Sequence, residues 1–106
     1  MQASDRQIAA EFCSRLKEIT PILDLRVFGS RAAGAPREDS DLDVFIKLKD
    51  LDRPLREKIH YLAWEVGFEH DRVISTFVVT EEQLQTEAVG ASPLMTKIFE
   101  EGIVVA

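Results

Sequence analysis

Residues 27 to 46 read Val27-Phe-Gly-Ser-Arg-Ala-Ala-Gly-Ala-Pro-Arg-Glu-Asp-Ser-Asp-Leu-Asp-Val-Phe-Ile46. An alternating segment enters this stretch and another leaves it. Leu23, Leu25 and Val27 share one side of an extended chain, and Asp24, Arg26 and Phe28 take the other, so a strand covers 22 to 28. Over 42 to 48, Leu42, Val44, Ile46 and Leu48 face one way, against Asp41, Asp43, Phe45 and Lys47. Between the strands stand Gly29, Gly34 and Pro36, the composition of a loop.

The charges in this stretch are costly unless they are used. Ten residues separate Ser30 from Asp41. Period two then sets Asp41 and Asp43 on one face, with Cα atoms about 6.6 Å apart. Unit charges held about 5 Å apart repel by roughly 3 kcal/mol at an effective dielectric of 20. A sequence selected only to fold gains nothing from that pair beside Phe45. A Mg²⁺ ion reverses the sign, because hard cations take carboxylate oxygens. Gly29 permits close backbone approach, and Ser30 offers a hydroxyl and an amide to a phosphate.

The flanks supply helices. Residues 4 to 20 read as an amphipathic helix: Ser4 and Gln7 match a capping box, Ile8, Phe12, Leu16 and Ile19 form the apolar stripe, and Pro21 stops it. Asp52 before Pro54 starts a second helix, with Leu55, Ile59, Leu62, Ala63 and Val66 inward and Gly67 as its end. Tyr61 and Trp64 beside that stripe read as core or partner packing. A third strand covers about 72 to 79. Thr80 with Gln83 opens a short helix, Ser92-Pro93 opens a last one closed by Gly102, and Ile103 to Val105 return as a short edge strand. The order predicts an α/β (α+β) fold, a small mixed β-sheet packed against helices.

Composition bounds the partners. The 106 residues suit one domain, and 45% hydrophobic with 30% charged residues is the balance of a soluble globular chain. No apolar run is long enough to span a membrane, and Met1-Gln-Ala-Ser-Asp-Arg lacks a basic and then apolar leader, so a cytoplasmic location is expected. Cys13 is the one cysteine, which excludes an internal disulfide and a cysteine-rich zinc site, and it reads as a buried apolar residue. A net charge of -6 argues against a duplex nucleic acid partner, which needs a basic surface. A nucleotide remains compatible, with a metal ion between carboxylates and phosphates.

Other motifs fail on their own chemistry. Gly29 to Gly34 has the glycine spacing of a P-loop, but Ala35-Pro36 stands where Lys and Ser/Thr are needed. Asp39, Asp41 and Asp43 imitate a calcium loop, but Val44 replaces its turn glycine. His70-Asp71 lacks the further imidazoles of a phosphohydrolase, since His60 is the only other histidine. Taken singly, Gly29 is a turn glycine, Ser30 a helix cap, and Asp41 and Asp43 solvated strand-edge charges.

Taken together, Gly29-Ser30, the ten-residue gap and Asp41-x-Asp43 followed by apolar residues resemble the nucleotidyltransferases of the DNA polymerase β superfamily. Over nearly its whole length the chain resembles their minimal form, and Ser92-Pro-Leu-Met-Thr-Lys-Ile-Phe-Glu-Glu-Gly-Ile103 is similar to that form's closing helix. The resemblance implies a single nucleotidyltransferase domain over residues 1–106. It implies that Gly29, Ser30 and Ser40 hold the phosphates of ATP or another nucleoside triphosphate, with Arg31 and Arg37 neutralising charge. Asp41 and Asp43 would bind one or two Mg²⁺ and act in catalysis. Active members carry a third carboxylate on the following strand, and Arg72-Val-Ile-Ser-Thr-Phe-Val-Val79 has none. Ser75 fits the position best, and Asp71 lies four residues earlier, about 13 Å along an extended strand.

Two function classes follow from the resemblance. One is an enzyme transferring a nucleoside monophosphate, AMP from ATP, to a hydroxyl on a macromolecule. The other is a nucleotide-binding module with little or no turnover. Minimal nucleotidyltransferases pair with helical HEPN-domain proteins in toxin–antitoxin arrangements, so a helical partner or a homo-oligomer is expected in either case.

Overall fold

The computed structural model describes residues 1–33 and 40–105. Gly34, Ala35, Pro36, Arg37 and Asp39, named above, lie outside them. Among the described residues the chain runs α1 (Ala3–Lys17), β1 (Asp24–Phe28), β2 (Leu42–Leu48), α2 (Arg53–Glu69), β3 (Ile74–Thr80), α3 (Glu81–Leu84), α4 (Glu87–Gly90), α5 (Pro93–Glu101) and β4 (Ile103–Val104).

Helix α1 starts earlier than its expected capping box. Gln2 is the N-cap and makes no side-chain cap bond, so the box of Ser4 and Gln7 does not form. The gain is an extra helical bond, from Arg6 N–H to the Gln2 carbonyl at 3.0 Å, and a buried place for Asp5 in the first turn. The far end tightens after Lys17, with Ile19 and Thr20 N–H both donating to the Leu16 carbonyl. Ile19 turns outward there, and the inward stripe is Ile8, Ala9, Phe12, Cys13 and Leu16.

Helix α2 starts where expected, with the Asp52 carboxylate accepting from Leu55 N–H at 2.8 Å and Pro54 in its first turn. It runs past Gly67 to Glu69. Asp71 N–H donates to the Phe68 carbonyl and Arg72 N–H to the Gly67 carbonyl. Those two bonds, with Asp71 at φ 54°, make a Schellman stop with an aspartate in the place glycine usually takes. Gly67 serves another purpose: a Cβ there would lie 2.5 Å from the Arg72 carbonyl oxygen. Helix α4, which the sequence did not announce, is a single turn started by Thr86, whose hydroxyl accepts from Val89 N–H. One turn is too short to show a period.

The sheet order is β3-β2-β1-β4. β1 pairs antiparallel with β2 and with β4, and β2 pairs parallel with β3 through the α2 crossover. Leu42, Val44, Ile46 and Leu48 of β2 meet α1 and α2 in the main core. The opposite face carries a second, smaller core of Phe45, Val79, Met95 and Ile98, packed by α5. Phe45 lies edge-on to Phe77 and to Phe99, and the Arg26 guanidinium sits 4.9 Å above the Phe99 ring. That lower cover stops at Phe45. Two residues earlier on the same face, Asp43 is half-buried and Asp41, just before β2, is exposed. No helix among the described residues is long and apolar enough to cross a membrane.

Candidate active site

The open end of the sheet brings three chain segments together: the exit of β1, the entry of β2 and the entry of β3. β1 ends at Phe28, which pairs with Asp43. The next residue, Gly29, has φ +77°, and a Cβ built there would lie 2.5 Å from Asp43 Oδ2. Glycine is favoured by that backbone, and any side chain there would also have to displace the Asp43 carboxylate. The chain then turns, with Ala33 N–H donating to the Gly29 carbonyl at 3.2 Å, and leaves Ser30 exposed.

Asp43 carries the electrostatic signature of this end. Burial pushes its carboxyl above the ordinary carboxylate range, and the neighbouring Asp41 charge pushes it further the same way. The two aspartates thus feel each other, as their shared face requires. On the other side Asp43 is in parallel register with Ser75. Paired residues of a parallel ladder point to the same face, so the exposed Ser75 stands beside Asp43. Asp71 is held in the Schellman turn before β3 and is exposed. A cleft of about 810 Å³ opens beside Asp43: Ser40, Asp41, Asp71 and Ser75 line it, with Trp64 and Phe68 as an aromatic wall, while Asp43, Gly29 and Ser30 do not.

Arg31, Ser40, Tyr61 and Trp64 lie around these groups. Arg31 is only 2% exposed, with Nη1 at 3.4 Å from Asp5 Oδ2 and Nε donating to the Ser40 carbonyl at 3.2 Å. The charge assigned to phosphate is thus engaged with a buried carboxylate. Ser40 presents its carbonyl to that arginine. Of the two expectations for Tyr61 and Trp64, core or partner packing, their exposure removes the core and leaves the partner; Trp64 stacks on Phe68 with centroids 5.4 Å apart, and Tyr61 lies 6.0 Å from Trp64.

Asp5 escaped the sequence reading. The signal was present: Asp5, Ile8, Ala9 and Phe12 follow helical spacing, so a charge sits on the apolar stripe. Burying a charge there is costly without a partner.

Asp41, Asp43 and the Ser75 hydroxyl are all hard oxygen donors. Two crowded carboxylates, one with a raised pKa, against a Cα with no side chain fit a small divalent cation. Among the described residues, Glu11, Glu69 and His70 also come within metal-ligating reach of one another, on the α1–α2 surface. They are already engaged: His70 with Glu11 at 3.1 Å, and Arg15 with Glu69 at 3.2 Å and Glu65 at 3.2 Å.

A mixed sheet that sets a glycine-serine turn against a two-aspartate strand entry is the nucleotidyltransferase fold. Residues 6–104 match the model of the nucleotidyltransferase domain family, and the chain belongs to that family. Solved structures share the fold at low identity. One is a toxin–antitoxin complex with AMP-PNP, 17% identical, with a TM-score of 0.63 over 92% of this chain and 72% of that one. A second is the complex of tri-AMPylated Shewanella oneidensis HEPN toxin with MNT antitoxin, 18% identical, TM-score 0.56, covering 95% and 71%. A third is a candidate nucleotidyltransferase from Sulfolobus solfataricus, 18% identical, TM-score 0.51, covering 98% and 87%. No curated protein matches the sequence.

Proposed function

We propose that this protein transfers AMP from ATP to a hydroxyl on a protein or other macromolecule, in the cytoplasm, as the antitoxin-like partner of a helical HEPN-type protein. The observation that carries the reading is the Asp43 carboxylate lying against the bare Cα of Gly29, with Asp41 on its face and Ser75 in register beside it. The partner reading rests on the solved complexes that share the fold.

In this reading Asp41 and Asp43 hold Mg²⁺, which would neutralise the triphosphate and polarise its α-phosphate. The Ser30 hydroxyl and the amides of the turn after Gly29 cradle phosphate oxygens. The acceptor hydroxyl enters from the cleft beside β3, attacks the α-phosphorus and displaces pyrophosphate, while its proton passes to solvent or to the partner. Ser75 orients the acceptor but takes no proton, because a neutral hydroxyl is a poor base.

Calorimetry tests the site. ATP with Mg²⁺ should bind the parent and fail to bind Asp41→Asn with Asp43→Asn; equal binding by the double variant would show the site to be elsewhere. A specific observation favours a second reading, a nucleotide-binding module with little or no turnover: the residue in register with Asp43 is the neutral Ser75, where the resemblance implies a third carboxylate. Labelled ATP, Mg²⁺ and the product of a neighbouring gene separate the two readings, since the enzyme labels the partner readily and the module slowly or not at all.

A further inference from the structure

We infer that the buried Asp5–Arg31 pair positions the nucleotide site, rather than contacting nucleotide or serving only to hold the fold. The inference rests on the reading that Ser30, Asp41 and Asp43 hold Mg²⁺–nucleotide. Asp5 is fully buried and Arg31 2% exposed. From that buried point the network reaches the exit of β1, the entry of β2 and the entry of β3. Arg31 follows Ser30 in the turn after β1, and its Nε donates to the carbonyl of Ser40, the residue before Asp41. Asp5 Oδ1 lies 3.9 Å from Nη2 of Arg72, which leads into β3 and Ser75. One carboxylate on α1 thus gathers two arginines from the exit of β1 and the entry of β3.

As a source of stability the pair is poor. Taking two charges out of water costs several kcal/mol per ion, and well-packed apolar residues of similar size often do as well or better. The Asp5–Arg31 contact of 3.4 Å is long for a charge-assisted bond. Asp5 Oδ1 is buried and accepts no hydrogen bond among the described residues. What an apolar pair cannot reproduce is the fork of Arg31, which joins α1 to the Ser40 carbonyl and so fixes the Ser30 turn relative to Asp41. Fixed turn amides and a fixed Asp41 are what binding a metal–triphosphate demands, since orientation set in advance is not lost on binding.

The test replaces the pair as a unit, with Asp5→Leu and Arg31→Met together. The double variant should melt within about 5 °C of the parent. Amide hydrogen exchange in the metal-free protein should rise at least about tenfold at Ser30–Ala33 and Ser40–Asp43. Affinity for ATP with Mg²⁺ should fall about 10- to 100-fold, as when residues behind a metal site are removed. Arg31→Lys gives the same two readouts if the double variant fails to fold, because lysine keeps the charge opposite Asp5 and loses the fork to Ser40. Unchanged exchange and unchanged affinity, with the parent binding normally, would overturn the inference and leave the site reading intact. Lost affinity with unchanged exchange would overturn it too, by making Arg31 a direct nucleotide contact. A parent that does not bind ATP with Mg²⁺ would remove the site reading and this inference with it.

Discussion

At the residue scale, Asp43 and Ser75 decide how the site behaves. Asp43 in the folded chain holds its proton more readily than an unfolded aspartate, because burial and then Asp41 disfavour its charge. The folded state therefore binds more protons between the ordinary carboxylate pKa and the raised one. Its stability should fall as pH rises through that window and stay lowered above it. In metal-free buffer at neutral pH, Asp43→Asn should raise stability by up to about 1 kcal/mol, a figure already discounted because solvent reaches part of the carboxylate. Urea melts at pH 3.5 and pH 7 check this: the gain should appear at pH 7 and vanish at pH 3.5. A loss at pH 7 would make Asp43 a structural acceptor. Ser75, beside Asp43, lends no general base, an aid typically worth about 10²–10⁴-fold. Ser75→Asp should therefore tighten Mg²⁺ binding and speed AMP transfer when acceptor is supplied. If Asp71 supplies the third carboxylate, Asp71→Asn will abolish transfer and Ser75→Asp will not improve it.

At the scale of the element, the α2–β3 connection is the place to look, because it aims β3 at the site. Its stop rests on Asp71 at φ 54°, where a side chain meets the following carbonyl at a cost of roughly 1–2 kcal/mol. Aspartate tolerates that region better than most residues, so the relief from glycine is smaller than the full penalty. Asp71→Gly should raise stability by about 0.5–1 kcal/mol, measured by thermal melting, with transfer unchanged if Ser75 is the residue beside the metal. The neighbouring glycine behaves oppositely. Gly67 has the Arg72 carbonyl where a Cβ would go, so a side chain there must push the turn apart.

For the whole molecule, the lasting question is what covers its exposed apolar groups. Tyr61, Trp64 and Phe68 run along one face of α2, 62%, 59% and 73% exposed, and Val73 at the head of β3 is 63% exposed. Among the described residues β3 is also an edge of the sheet, and such an edge beside aromatic rings favours association. Light scattering should show a dimer, or a complex once a helical partner is added. Trp64→Ser should weaken that association without lowering the melting temperature of the isolated chain. A strict monomer that captures no helical partner would count against both the oligomer and the partner.

Local chemistry alone determined several features. The caps at Asp52, Thr80 and Ser92, the alternation of β1 and β2, and the shared face of Asp41 and Asp43 depend on residues within a few positions of one another. The glycine-serine turn and aspartate pair were legible for the same reason. Other features needed distant parts of the chain. That Ser75 falls beside Asp43 was a matter of parallel register, which α2 sets by its length and its stop at Asp71. Phe45 could be placed on the aspartate face from periodicity, but its burial depended on α5 arriving from 50 residues later in the chain. Arg31 is the clearest case. In sequence it was a loop arginine after a phosphate-type turn; in space it lies against Asp5, 26 positions earlier. Whether a charge meets solvent, phosphate or a buried partner depends on what desolvates it, and only the tertiary fold decides that.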